Sequence, residues 1–212
     1  MRMRRALGRF VHLLQEHPSY GLRVARALVR GTIYALYYRA TRRNVRIELP
    51  FYAFGPVAIE GPGQVRIGRR CSVMRAVFTG LTITTGTRDS VVEIGSGCRL
   101  GGLTVRCHER VTIADHAMTA AALVQDTLFV DRVAAARSGG HALATASVSV
   151  GRNAWLGLSC LVLDGATVGN DSVVAAGACL RQVEVPAYHL ASGSPAARPL
   201  PIDRLLGLRA PA

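Results

Sequence analysis

Twenty-six basic residues and not one lysine limit what this chain can do to a proton. A guanidinium keeps its charge far above neutral pH, so none of the arginines can serve as a base, and the N-terminus is the only amine nucleophile. The five cysteines, Cys71, Cys98, Cys107, Cys160 and Cys179, contain no CxxC pair. Their odd number and irregular spacing argue against a zinc site and against a disulfide framework, so the expectation is no metal and a reducing compartment. Imidazoles that could act as a general base stand at His108, His116, His141 and His189, outside the arginine-rich start of the chain.

The elements that must position these groups are legible as repeats. Val150, Leu156, Val162, Val168, Val174 and Leu180 recur every sixth residue, with Ala154, Cys160, Ala166, Ser172 and Ala178 four places after the first five. An aliphatic residue that fills the interior of each short strand, beside a small residue at a tight corner, is the hexapeptide pattern of a parallel β-helix. Three hexads close one triangular coil of about 18 residues, and stacked coils bury a continuous aliphatic column. Broken copies lie upstream at Ile67/Cys71/Val73, Ile94/Cys98/Leu100 and Ile113/Ala117, which places the start of the coils near Val57. Cys71, Cys98 and Cys160 hold the small corner position, so packing accounts for them. The register fails across 127–147, where Ser138-Gly139-Gly140 breaks the chain and Arg132 and Arg137 resist burial; this predicts a loop ejected from a corner. The expected organisation is a helical arm over 1–46, an all-β left-handed β-helix over 47–185, and a tail over 186–212.

Charge separates the arm from the rest. Residues 1–46 hold 11 arginines against the single acid Glu16, and the remaining 166 residues hold 15 arginines against 12 acids. Met3, Ala6, Leu7, Phe10, Val11 and Leu14, then Leu22, Ala25, Leu28, Val29, Ile33 and Leu36 after Pro18, recur at helical steps and predict two amphipathic helices. Their apolar faces have two uses, capping the open first coil or lying on an anionic membrane, and both can hold at once. No apolar run reaches the ~18 residues that span a bilayer. The apolar stretch after Met1-Arg2-Met3-Arg4-Arg5 is interrupted by Arg9 and His12, so no export signal is expected. The expected location is the cytoplasm, with a peripheral seat on the inner face of the membrane if the arm binds lipid. Nucleic-acid binding is not expected, because no stacking-aromatic or helix-turn-helix signature accompanies the charge.

The stretch VSVGRNAWLGLSCLVLDGATVGNDSVVAAGACL, followed by VPAYHLASGSPAARPL, resembles the C-terminal half of the hexapeptide-repeat O-acetyltransferases, in particular the sugar- and polysaccharide-modifying branch. The resemblance covers roughly residues 148–200 and extends more weakly to about Val57. It implies a homotrimer that binds acetyl-CoA in the groove between neighbouring β-helices and transfers the acetyl group to a hydroxyl of a sugar or polysaccharide precursor. By matched position, Trp155, Gly157 and Leu158 line the pantetheine arm, and Ala176 and Gly177 let the cofactor approach the coil. Arg181 and Arg198 are the cations nearest the positions that meet the CoA phosphates, Ala197 standing where the family carries its own.

The family's reaction needs a histidine base, and the segment that should carry it aligns with Val124-Gln125-Asp126-Thr127-Leu128-Phe129-Val130, which puts Val130 at the base position. Two readings follow. In one, His141, next to Gly139 and Gly140, swings back to supply the imidazole. In the other, the chain is a catalytically degenerate, acyltransferase-like trimer that acts as a binding or scaffold protein in polysaccharide biosynthesis. His116 at a corner is expected to be structural, and His108 and His189 are weaker candidates.

Overall fold

The computed structural model describes residues 18–74, 80–127 and 145–205. It is a left-handed parallel β-solenoid of about 6 turns with one helix packed on its N-terminal end. The strands stack into three sheets, sheet A of seven strands, sheet B of eight and sheet C of six. Every hexad residue named from the sequence points inward: Val150, Leu156, Val162, Val168, Val174 and Leu180 are all buried, as are the corner residues Ala154, Cys160, Ala166, Ser172 and Ala178. Each fully buried Val or Leu side chain contributes about 1.5–3 kcal/mol, so the column is the main source of stability.

Corners turn through left-handed backbone. On the corner between sheets A and B that conformation falls on Arg70, Gly97, His116, Asn153, Asp171 and Tyr188. A non-glycine residue there costs about 1–2 kcal/mol, and the return is a hydrogen bond to the coil above. The amides of His116, Asn153 and Asp171 donate to the carbonyls of Ser96, Asp115 and Arg152 at 2.8, 2.9 and 2.8 Å. His116 also stacks over Gly97, where a Cβ would meet its Nδ1 at 2.5 Å, so it is a corner residue. Cys71, Cys98, Cys107 and Cys160 are fully buried. Burial pushes the thiol of Cys160 up to about 12.

The coils begin ahead of Val57, where the sequence placed their start. The first strand of sheet A is β1 (Val45–Ile47) and the first of sheet B is β2 (Tyr52–Ala53), and Ile47 and Ala53 keep the step of six, with Phe51 large at the corner position and Ala53 small at the interior one.

The helix α1 (Pro18–Thr41) packs on β1 and β2. Its orientation corrects the expectation from the sequence. The face against the coil is Gly21, Ala27, Gly31, Ala35 and Tyr38, while Leu22, Val29, Ile33 and Leu36 are 57–60% exposed. Close approach explains the inversion: a Cβ on Gly31 would collide with the Phe51 carbonyl oxygen, and large aliphatics could not fit. Tyr38 reaches the solenoid, its hydroxyl accepting from the Ile59 amide at 2.9 Å and donating to the Val57 carbonyl at 3.4 Å. The other predicted helix, over Met3–Leu14, lies outside the described residues.

Candidate functional site

The matched residues sort onto two corners of the triangular cross-section. Trp155 opens β14 (Trp155–Leu156) on the outer face of sheet B, in register with Met118 on one side and Val173 on the other. Leu156 must point inward in this pleat, so its neighbour Trp155 points out, and it is 50% exposed. The chain then turns through Gly157, Leu158 and Ser159 into sheet C. Leu158 is 48% exposed, which leaves two large apolar side chains uncovered beside each other in sequence space and on one edge.

The glycines of this corner have different causes. At Gly157 a Cβ would meet the Ala176 nitrogen and the Val174 oxygen of the next coil, each at 2.7 Å, so stacking of the coils requires glycine. Gly177 takes left-handed backbone at φ 68, and a Cβ there would meet nothing within 4 Å. Its missing side chain therefore opens space outside the solenoid. The Gly177 amide donates to the Leu158 carbonyl at 2.8 Å, which ties the two corner residues together. The amides of Leu158 and Ala176 donate to nothing among the described residues and sit exposed at the edge. Trp155, Gly157, Leu158, Ala176 and Gly177 are thus brought together, as one apolar edge with two unspent N–H donors.

Arg181 is elsewhere. It follows β18 (Cys179–Leu180) at the far side of sheet C, where its Nε donates to the carboxylate of Asp164 at 3.1 and 3.3 Å. Asp164 is almost wholly buried there and also accepts from Gln182, so Arg181 is held in place with its terminal nitrogens uncommitted. Arg198 is exposed after a turn in which the Ala196 amide donates to the Cys179 carbonyl at 2.9 Å. His141 and Val130 lie outside the described residues. His189 is anchored locally, its Nδ1 within 2.8 Å of the Ala187 carbonyl.

The corner between sheets C and A carries groups the sequence did not single out. Asp126 is fully buried after β12 (Leu123–Gln125), and its carboxylate accepts the amides of His108 at 2.8 Å and Glu109 at 2.7 Å. Burial first, and then the Asp126 charge, push the Cys107 thiol up to about 12. The His108 Nδ1 is buried without a hydrogen-bond partner among the described residues. Thr127 and Thr145 face each other in an antiparallel bridge, so residues 127 and 145 meet at this same corner. Glu109 clamps the returning strand, accepting from Ser147 Oγ at 2.8 Å and Thr145 Oγ1 at 2.9 Å. Those two hydroxyls hold its carboxyl below the usual carboxylate range. The available signal was the polar run Gln125-Asp126-Thr127 following an inward-facing Val124, which announces a buried acid at a corner.

No protein-family model matches the chain, and no curated protein matches its sequence. Solved structures do match. The chain is similar to AntD, an N-acyltransferase from Bacillus cereus crystallised as a variant with dTDP and coenzyme A, at 14% identity and a TM-score of 0.57 over 82% of this chain and 91% of that one. The two share one fold. Looser likenesses are to a hexapeptide transferase family protein from Anaplasma phagocytophilum, with 18% identity and a TM-score of 0.46 over 77% and 84% of the chains. Perosamine N-acetyltransferase from Caulobacter crescentus, in complex with CoA and GDP-perosamine, gives 20% and 0.44 over 79% of this chain and 64% of its own, so the present chain spans under two thirds of that protein.

Proposed function

We propose that the protein is an acyltransferase that moves an acetyl group from acetyl-CoA to a hydroxyl of a sugar or polysaccharide precursor. One observation carries the reading: the edge formed by Trp155, Leu158 and Gly177 is apolar, uncovered and open where a side chain would otherwise stand. That edge fits a pantetheine arm, whose chain would lie on the indole and the leucine while its amides meet the free N–H groups of Leu158 and Ala176. Arg181, preset by Asp164, and Arg198 are the cations proposed for the phosphates. The shared fold and the coenzyme A bound by AntD support this assignment.

When bound, acetyl-CoA supplies the thioester carbonyl carbon that the acceptor oxygen attacks, with CoA thiol released. The chain's task is to remove the hydroxyl proton as the C–O bond forms and to return a proton to the departing sulfur. His141 is the proposed base. A hexad side spans six residues, roughly 20 Å at about 3.3 Å per residue, so the loop corner and the pantetheine edge of one chain stand far apart. A homotrimer resolves this by setting one protomer's loop corner against its neighbour's edge.

Isothermal titration with CoA tests the edge, and a thioester-release assay of His141→Ala with sugar acceptors tests the base. Saturable CoA binding and loss of release in the variant are expected; no binding at millimolar CoA, or unchanged release, refutes the corresponding assignment. Val130 at the aligned base position favours a second reading, a non-catalytic scaffold that keeps the trimer. CoA binding without release for any acceptor selects it.

The outward stripe Leu22, Val29, Ile33 and Leu36 on a helix without an acid in its first turn suits peripheral attachment to an anionic bilayer from the cytoplasmic side. No described helix is long and apolar enough to cross one. Sedimentation with phosphatidylglycerol vesicles should fall in Ile33→Ser/Leu36→Ser, and equal sedimentation of parent and variant would refute attachment through this face.

A further inference from the structure

A cleft of about 800 Å³ lies between α1 and the outer face of sheet B. Arg23, Arg26 and Arg30 line it from the helix, Arg70 from a corner, and Arg99 from β8 (Arg99–Gly101), with Tyr52 on its wall and no acidic residue. Ion pairs elsewhere in the described residues engage Arg66, Arg69, Arg110 and Arg181; none engages these five. The cleft on the other flank of the helix also gathers Arg39, Arg42, Arg43 and Arg46, but its lining includes an acid, Glu48, which pairs with Arg69. A chain without lysine explains why the cations are arginines. It does not explain why five, from three separate segments, converge on one concavity with no acid among the described residues to neutralise them.

Like charges held together repel, and a concave wall focuses their field, so such a cleft concentrates multivalent anions. Guanidinium forks match phosphate oxygens in bidentate geometry, and helix and sheet arginines facing each other can grip two linked phosphates from opposite sides. The Tyr52 ring and the Ala27 and Phe54 surfaces supply an apolar wall for the organic part of such a molecule. Arg99 stands two rungs from Trp155 through Met118, about 10 Å at ~4.8 Å per strand, so a ligand seated here occupies the same sheet face as the pantetheine edge.

We infer that the cleft between α1 and sheet B is a binding site for an organic pyrophosphate, gripped by Arg23, Arg26, Arg30, Arg70 and Arg99. The inference does not depend on acyl transfer. The test is calorimetric titration of the full chain with inorganic pyrophosphate and with a nucleoside diphosphate, beside sedimentation with phosphatidylglycerol vesicles. Parent, Arg70→Gln/Arg99→Gln and Arg23→Gln/Arg30→Gln are compared, with CoA titrated into each as a separate control. Pyrophosphate binding below about 1 mM that weakens at least tenfold in both variants, with CoA binding unchanged, is the expected result. Binding to vesicles alone, lost in both variants, overturns the pyrophosphate assignment and leaves the arginines as contacts for single lipid phosphates. Equal behaviour of parent and variants on every phosphate probe overturns the inference, whatever CoA does.

Discussion

Replacing Trp155 with alanine separates a groove residue from a structural one. Half of the side chain is already solvated, so the folded chain loses little by its removal. An exposed indole presents roughly 100 Å² of open apolar surface when half of a ~200 Å² side chain is uncovered. A pantetheine arm that covers about half of that open surface gains ~1.3 kcal/mol at ~25 cal/mol per Å². Trp155→Ala should therefore weaken CoA about tenfold. It should lower the melting temperature by only about 2–4 °C, the shift that ~1 kcal/mol produces in a chain of this size. Calorimetric CoA titration and a thermal melt on the same preparations measure both quantities. Unchanged CoA affinity in a folded variant would refute the placement of the cofactor along this edge, and a melting loss far above the stated range would show that Trp155 serves the coil.

Leu156→Ala empties the fully buried partner of Trp155 and should cost about 2–5 kcal/mol in urea unfolding; a loss below ~1 kcal/mol would contradict the column as the main source of stability. In the native protein a thiol reagent should modify Cys179 rapidly, since it is the partly exposed one, and reach the other four cysteines only on unfolding; two or more fast thiols would contradict the corner packing. Glu109 has its folded carboxyl held below the usual value by Ser147 and Thr145, so the clamp is fully present above about pH 4.3 and lost as pH falls through the lowered value. Hydrogen-exchange protection at Thr145–Ser147 should drop as pH falls below about 4.3 in the parent and be absent in Glu109→Gln; protection independent of pH would remove the clamp.

How far the residues announced this structure depends on the length over which their pattern acts. Val150 through Leu180 repeat without interruption, and each step of six is visible because every coil there has the same length. The corner cysteines were readable for the same reason. The first coil was not, because Ile47, Ala53 and Ile59 keep the step of six but with the sizes exchanged: Ala53 is small where a large aliphatic is looked for, and Phe51 is large at the corner that Cys71 and Cys98 fill in the next coils. The helix face was misread for a physical reason: close packing on Phe51 selects Gly31, Ala27 and Ala35, which barely register as apolar, while the conspicuous aliphatics are left outside. Asp126 follows His108 and Glu109 by 18 and 17 residues, one coil on, but the bonds are made by their backbone amides, which no residue type in the hexad pattern marks as partners of a buried acid. The five-arginine cleft was hidden in the bulk charge, which revealed how many cations there are but not which of them face one another.

The central claim is tested most directly by incubating the full chain with acetyl-CoA and a panel of sugars, scoring free thiol and acylated product together by mass spectrometry. Equal amounts of CoA thiol and of a sugar carrying one acetyl ester are expected. Intact acetyl-CoA with no acylated sugar, under conditions where CoA binding is saturated, would contradict it.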